Sequence, residues 1–263
     1  MILIAIEILF LIIIIFWVYG FYIRNDFSVP TAYIKKFKNV LIIYPHADDE
    51  LFTAGGFISA LSKQKSSITL VILTMGERGN FDTHYDENLK ITRTNEAKIV
   101  ASILKVTKLI QEDFGDNDLK NKRDLLKEYI SKLITNTNPD LILTYDKSGL
   151  YGHPDHIIVS EIVTDLAKSN GNVELWYATL PQRTLNMINL PEHMATDINF
   201  KTKRVLPTFK VSSLPYKMNK YKALMTYQSQ LSSFKNHMPI KFIPLWFYDS
   251  MSFYEYFYKV NLD

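Results

Sequence analysis

Short apolar segments alternate along this chain with longer segments of helical spacing, and this alternation restricts the fold more than any other feature. The apolar segments are rich in Ile, Leu and Val and lie at residues 40–44, 68–74, 108–110, 140–145 and 173–177. The segments with helical spacing lie between them, at residues 52–63, 89–104, 124–135 and 157–167. Strands that alternate with helices form mostly parallel sheets with helices on both faces. The sequence therefore predicts an α/β domain of this kind.

The last third of the chain follows the alternation less clearly. Residues 218–231 have the spacing of one more helix, whereas residues 242–258 are crowded with aromatic side chains. We interpret the aromatic stretch as packing, or as a membrane-facing patch, rather than as a catalytic element.

Clusters of ionisable side chains follow two of the predicted strands. The first strand is followed by Pro45-His46-Ala47-Asp48-Asp49-Glu50, and the fourth by Gly152-His153-Pro154-Asp155-His156. The carboxyl ends of parallel strands are where α/β folds bind their ligands. Three adjacent carboxylates repel one another unless a cation lies among them, and a metal ion is the obvious candidate. The chain has no Cys, so nitrogen and oxygen atoms must hold the metal.

The spacing of these motifs predicts a mononuclear site of two imidazoles and one carboxylate. His46 and Asp49 are three positions apart on a turn, and His156 completes the set. Such a set leaves coordination positions open for water and substrate, as catalytic zinc sites do. Zn²⁺ is the expected ion, and Fe²⁺ is the alternative.

The remaining ionisable groups suit proton transfer. Asp48 lies beside a ligand and is a candidate general base. We expect His153, as a cation, to stabilise an oxyanion and to protonate the leaving amine, and Asp155 to orient it by hydrogen bonding. The alternative is that His46 and Asp49 are turn and cap residues and that the second motif is a polar loop that closes a helix.

The N-terminal segment predicts a membrane anchor. Residues 2–23 are apolar apart from Glu7 and as a helix would extend roughly 33 Å, enough to cross the hydrocarbon core. A cleavable signal peptide would instead need a basic start, a shorter core and a small-residue cleavage site. Basic residues follow the segment and none precedes it, which places the C-terminal domain in the cytoplasm. These residues are Arg24, Lys35, Lys36 and Lys38.

The expected organisation is an anchor at residues 1–23, a linker at 24–38 and one domain at 39–263. A hydrophobic content of 47% in 263 residues is enough for one good core. The net charge is only +3 and the basic residues are scattered, so the composition does not indicate a nucleic-acid partner.

The two motifs resemble those of the LmbE-like, or PIG-L, zinc-dependent de-N-acetylases. Members share a Rossmann-like domain, a Pro-His-Pro-Asp-Asp-Glu loop after the first strand and a later Gly-His-Pro-Asp-His loop. The resemblance covers roughly residues 39–231 and implies the same ligands, base and acid as the spacing. It adds Arg93 as a substrate-binding residue, because Arg93 and Glu96 match an Arg-x-x-Glu helix of the family. Ser229-Gln230 matches a Ser-Gln pair that family members carry late in the sequence. Ala47 replaces the usual proline, which removes a fixed φ angle but no chemical group.

The resemblance implies hydrolysis of the N-acetyl group of a GlcNAc-containing conjugate, either lipid-linked, such as GlcNAc-phosphatidylinositol, or a small soluble glycoside. Asp155 and its lead-in from Tyr151 resemble bacterial members, which favours the bacterial inner membrane over the endoplasmic reticulum. The alternatives are hydrolysis of a different amide or ester, and a membrane-tethered glycan- or lipid-binding module with a non-catalytic site.

Overall fold

The computed structural model of the protein describes residues 2–79, 84–187, 199–236 and 243–262. The strands are β1 (Asn39–Tyr44), β2 (Ser67–Ile72), β3 (Lys108–Gln111), β4 (Leu141–Tyr145), β5 (Glu174–Thr179), β6 (Phe209–Ser212) and β7 (Tyr254–Lys259). The helices are α1 (Ile2–Arg24), α2 (Asp49–Lys63), α3 (Glu87–Ile103), α4 (Arg123–Thr137), α5 (Gly149–Gly152), α6 (Pro154–Asn170), α7 (Gln182–Met187), α8 (Lys217–Thr226), α9 (Leu231–Asn236) and α10 (Leu245–Ser250).

Within the described residues the strands form one sheet in the order β3-β2-β1-β4-β5-β7-β6. The five strands expected from the apolar segments pair in parallel. The prediction of a mostly parallel sheet is therefore confirmed. The structure adds an antiparallel edge, in which β7 pairs with both β5 and β6. Much of the aromatic stretch thus belongs to α10 and β7, and residue 242 lies outside the described part of the chain.

Helices cover both faces of the sheet, as predicted. The side chains of β1 alternate between two apolar clusters, with Val40, Ile42 and Tyr44 in one and Leu41 and Ile43 in the other. Contacts with α2 bring α8 onto the first cluster, whereas α4 and α6 pack together over the second. Both faces of the sheet are therefore buried, which explains why its strands are continuous apolar runs.

The topology brings several chain reversals to one edge of the sheet. All five parallel strands end at this edge, which we call the carboxyl edge. Because β7 is antiparallel to β5, the start of β7 lies at the same edge, next to the end of β5. The loops after β1, β3 and β4 and the short helix α10 therefore share one end of the domain.

The N-terminal helix α1 is a candidate membrane span by length and composition. Its mean hydropathy is 3.0 and none of its apolar window is buried. The segment expected to be a linker lies against the domain: Asn25, Val29 and Phe37 are buried, and Thr31 forms a bridge with Lys210. The chain therefore passes from α1 into the domain along a packed path.

Candidate metal centre

The loop between β1 and α2 holds the first motif in a constrained conformation. The backbone N–H of His46 donates to Asp49 Oδ2 at 3.0 Å, which closes the loop on itself. Asp48 has a φ angle of 99°, in a region that non-glycine residues seldom occupy. Ala47, which lacks the ring of the expected proline, has no positive φ angle. The backbone strain of this loop therefore lies at Asp48.

The three residues expected to hold a metal place donor atoms at the spacing that a metal ion requires. His46 Nδ1 lies 3.2 Å from His156 Nε2 and 3.5 Å from Asp49 Oδ2. His156 Nε2 lies 3.3 Å from Asp49 Oδ1. Ligand atoms about 2.1 Å from a tetrahedral ion are about 3.3 to 3.5 Å apart. The residues present thus fit a zinc-sized ion bound by two nitrogens and one carboxylate.

The other ring nitrogen of each histidine contacts an acceptor, which leaves the facing nitrogen free to bind a metal. His46 Nε2 lies 3.1 Å from Asp116 Oδ1 and 3.2 Å from Asp155 Oδ2. His156 Nδ1 lies 3.2 Å from the carbonyl oxygen of Gly149. Hydrogen bonds of this kind fix the tautomer and the ring orientation of metal-binding histidines.

The charges of the site favour a cation. Burial lowers the pKa of the His46 imidazole, but the carboxylates of Asp116, Asp155 and Asp49 outweigh it and raise that pKa well above its usual range. The same carboxylates would stabilise a metal ion in place of that proton. Burial also lowers the pKa of His156 to about 4, so this imidazole is neutral, as a metal ligand must be.

Asp48 precedes the proposed ligand Asp49, but its own contacts are with Arg93 and Glu50 rather than with the two histidines. Its Oδ2 is 3.5 Å from Arg93 Nη2, and its backbone N–H donates to Glu50 Oε2 at 3.1 Å. Burial raises the pKa of the Asp48 carboxyl to about 8, against the opposing effect of Arg93. A carboxylate of raised pKa is a stronger base than an ordinary aspartate. Glu50 is held in turn by the hydroxyl of Tyr227, which donates to Oε1 at 2.7 Å.

The second motif differs from expectation in two contacts. The carboxylate of Asp155 contacts His46 and accepts from the backbone N–H groups of Asn117 and Leu119, so it orients His46 rather than His153. His153 Nδ1 accepts from the backbone N–H of Asp155 at 3.2 Å. Burial, with His156 and His46 nearby, lowers the pKa of His153 to about 3. His153 is therefore a neutral donor through Nε2 rather than the expected cation.

His153 also lies close enough to be a further metal donor. One nitrogen of each of His46, His153 and His156 lies within 4.8 Å of the others. A second group at the same spacing joins His46 with Asp116 and Asp155. The carboxylates of that second group already accept backbone N–H groups, so we assign it to the support of His46.

Asp116 is a site residue that the sequence reasoning missed. It is buried in the loop after β3, and its Oδ2 accepts the backbone N–H of Arg78 at 3.1 Å. The polar run from Gly115 to Asp118 follows a predicted strand, as the two recognised motifs do, and this position was the available signal. Three strand-end loops, rather than two, thus form the site.

Arg93 lies beside the first motif, with its guanidinium buried. Its Nη2 donates to the carbonyl oxygen of Ala47 at 2.6 Å. A Cβ atom at Gly76 would lie 2.5 Å from Arg93 Nε, so this glycine gives the side chain its space. In the structure Arg93 positions the loop that carries Asp48, and substrate binding by Arg93 stays a prediction.

The Arg-x-x-Glu helix and the late Ser-Gln pair are joined. The backbone N–H of Ser229 donates to the Glu96 carboxylate at 2.9 Å, and the hydroxyl of Ser229 donates to it at 2.6 Å. This contact ties the turn that follows α8 to α3, and Tyr227 in that turn reaches Glu50.

Replacing Asp116 by Asn tests the support of His46. The substitution removes the carboxylate charge beside His46 Nε2, and we expect zinc affinity to fall about 10- to 100-fold. Competition with a zinc chelator measures the affinity. Asp118→Asn is the matched control, because the Asp118 side chain is 42% exposed in the same loop. Equal affinity in the two variants would show that Asp116 does not support the metal site.

Comparison with known proteins gives the family of this site. Residues 41–167 match the PIG-L family, described as GlcNAc-PI de-N-acetylase. The chain is 36% identical to a diacetylchitobiose deacetylase of Thermococcus kodakarensis over 135 residues, which are 51% of this chain and 50% of that protein. It is 32% identical to a probable N-acetyl-α-D-glucosaminyl L-malate deacetylase of Bacillus anthracis, over 50% of this chain and 60% of that protein. The chain thus spans only half to three-fifths of these relatives.

Solved structures share the fold. The N,N'-diacetylchitobiose deacetylase of Pyrococcus horikoshii has a TM-score of 0.58 at 21% identity, covering 85% of this chain and 84% of that one. The 4-carboxy-2-hydroxymuconate hydratase of Pseudomonas putida has a TM-score of 0.57 at 18% identity, covering 85% of this chain and 96% of that one. The fold alone therefore does not fix the reaction. Both sequence motifs lie within residues 41–167, so the resemblance to the PIG-L, or LmbE-like, family is confirmed for this part of the chain.

Proposed function

We propose that this protein is a metal-dependent deacetylase that removes the N-acetyl group from a GlcNAc-containing conjugate. The observation that carries the proposal is the convergence of donor atoms of His46, Asp49 and His156, 3.2 to 3.5 Å apart. The buried Asp48 carboxyl lies close enough to interact electrostatically with Asp49 and His46. A binding module would not need a buried base at this position. The match of residues 41–167 to the PIG-L family favours the amide of an N-acetyl group over other amides and esters.

His46, Asp49 and His156 would hold the metal, with Zn²⁺ preferred and Fe²⁺ as the alternative. A bound metal of this kind polarises the substrate carbonyl and lowers the pKa of water. Asp48 takes the proton of the water that attacks the acetyl carbon. His153 donates a hydrogen bond through its Nε2–H to the carbonyl oxygen as that oxygen gains charge. The C–N bond then breaks, the proton taken by Asp48 passes to the leaving amine, and the products are acetate and a free amino sugar.

We further propose that the substrate is linked to a membrane lipid and that α1 anchors the protein in the same membrane. The end of α1 joins the domain at the carboxyl edge, since Thr184 of α7, which follows β5, donates to the carbonyl oxygen of Ile23 at 2.9 Å. This is the edge of the sheet that carries the site. The basic residues after α1 favour a cytoplasmic domain. The likeness of Asp155 and its lead-in from Tyr151 to bacterial members favours the bacterial inner membrane over the endoplasmic reticulum.

A panel of N-acetylglucosamine conjugates tests the reaction and the substrate class together. The full chain is purified in detergent or lipid nanodiscs and incubated with GlcNAc-phosphatidylinositol, diacetylchitobiose and a simple GlcNAc glycoside. We expect stoichiometric release of acetate and amine, fastest from the lipid-linked compound. Faster release from the soluble compounds would retain the deacetylase but reject the lipid substrate. Absence of acetate release from the whole panel by the metal-loaded enzyme would reject the function.

A further inference from the structure

We infer that α10 lies in the interfacial layer of the phospholipid bilayer, so that the domain is held against the membrane at its carboxyl edge. The membrane-docking surface, as we name it, consists of Phe16 and Trp17 of α1 with Trp246 and Phe247 of α10. The inference rests on the proposed anchoring by α1 but not on the proposed reaction.

The end of α1 is fixed to α10 and to the chain that follows it. The rings of Phe16 and Phe247 are stacked with centroids 6.0 Å apart, and Trp17 Nε1 donates to Ser250 Oγ at 2.8 Å. Arg24 Nη1 donates to Ser252 Oγ at 2.6 Å. These contacts span more than two helical turns of α1, so α1 has a defined direction relative to the domain.

Asn25, the residue after α1, continues this attachment into the domain. The side-chain amide of Asn25 both donates and accepts hydrogen bonds. Its Nδ2 donates to the carbonyl oxygen of Met251 at 2.6 Å, and its Oδ1 accepts from the backbone N–H of Phe253 at 2.9 Å. The Asn25 side chain is fully buried. A flexible hinge between anchor and domain is therefore absent from residues 24–25.

The first basic residue of α1 indicates where the surface of the bilayer lies. Residues 2–15 are all exposed, and Phe16 is the first residue that the domain partly covers. The helix stays apolar as far as Ile23, and Arg24 lies in its last turn. Basic residues at the end of a membrane span lie at the headgroup level. The level at which α10 packs on α1 is therefore within about two helical turns of the headgroups.

The composition of α10 fits this depth. Trp246 is 56% exposed, although it is one of the largest apolar side chains in the chain. Tryptophan is enriched at membrane interfaces because its ring is apolar and its N–H can reach water. Beyond α10, cations lie over aromatic rings at the level expected for headgroups: Arg183 over Tyr22 at 3.9 Å and Lys217 over Phe253 at 5.1 Å. Cations at this level favour anionic lipids.

The position of α10 also orients the candidate metal centre. The chain runs from α10 into β7, which is three strands away from β1, or about 15 Å at the usual strand spacing. The start of β7 and the end of β1 both lie at the carboxyl edge. The membrane-docking surface therefore holds the site facing the bilayer side of the domain, within reach of a headgroup.

Single-cysteine spin labelling tests the inference directly, because the chain has no native Cys. Labels are placed at Trp246→Cys in α10, at Phe10→Cys in the free part of α1, and at Leu125→Cys, exposed on α4, as the water-facing control. The full chain is reconstituted in nanodiscs that contain phosphatidylcholine and phosphatidylglycerol. Accessibility of each label to oxygen, which partitions into lipid, is compared with accessibility to a water-soluble nickel chelate. Thermal unfolding midpoints, rather than activity, check that each variant is folded.

We expect a several-fold higher ratio of oxygen to nickel accessibility at Trp246→Cys and Phe10→Cys than at Leu125→Cys. A water-like label at Trp246→Cys with a lipid-like label at Phe10→Cys would overturn the inference and leave the anchor intact. Water-like labels at both positions would overturn the anchor as well. A Trp246→Cys label shielded from both reagents would show a protein contact, such as a second copy of the chain, and would also overturn the inference. Acetate release is measured separately, so the accessibility of the labels can be interpreted even if the protein does not catalyse the proposed reaction.

Discussion

Removal of any one of the three proposed ligands is expected to abolish metal binding and nearly all deacetylation. In His46→Ala, Asp49→Ala and His156→Ala, two donor residues remain at the position where three converge. A bound metal contributes several kcal/mol to catalysis, and each 1.4 kcal/mol corresponds to tenfold in rate, so the rate should fall at least about 10³-fold. Elemental analysis of the purified variants gives the metal content, and acetate release gives the rate.

His84→Ala is the control for this series, since it removes an exposed imidazole from the segment before α3. It should keep both the metal and the rate. Full metal content in any of the three ligand variants would contradict the proposed ligand set and would point to His153 as a donor, because its ring lies within reach of the other two.

Asp48→Asn is expected to retain the metal but to lose about 10²- to 10⁴-fold in turnover, the usual contribution of a general base. Asparagine has the same shape as aspartate and tolerates a positive φ angle, so the loop conformation at φ 99° should survive. Metal content and rate are measured on the same preparation. The combination of retained metal and lost turnover separates a base from a ligand, whereas an unchanged rate would refute the role of Asp48.

Most of the parallel sheet could be predicted because its strands are buried on both faces and therefore appear as continuous apolar runs. The segments at residues 40–44 and 140–145 correspond closely to β1 and β4. The antiparallel strands β6 and β7 could not be predicted in the same way. The four residues of β6 are too few for a pattern, and the aromatic residues of β7 do not distinguish a strand from general packing.

The candidate site was predictable where the donors are close in sequence to a strand end. His46 and Asp49 directly follow β1, and His156 lies in the motif that follows β4 and α5. The structure places their donor atoms together. Asp116 follows β3, a short strand of half-buried residues, so its loop resembled an ordinary surface turn. The Asp155 contact with His46 joins residues 109 positions apart, and only the folded chain shows which imidazole this carboxylate reaches.

The same limit applies to the residues that support the first motif. Glu96 and Ser229 are 133 positions apart, and each alone resembles an exposed helix residue. The fold brings α3 and the turn after α8 together and makes the pair a tie between two elements. The path of residues 24–38 along the domain likewise depends on partners such as Lys210 that the sequence does not identify.

Dependence of acetate release on bound metal tests the central claim most directly. The wild-type full chain is stripped with a chelator, dialysed, and then titrated with Zn²⁺ or Fe²⁺ while acetate release from a GlcNAc conjugate is followed. We predict that the stripped protein has no measurable activity and that activity returns in proportion to bound metal, with saturation at one equivalent. Full activity in protein shown to contain no metal would contradict the account.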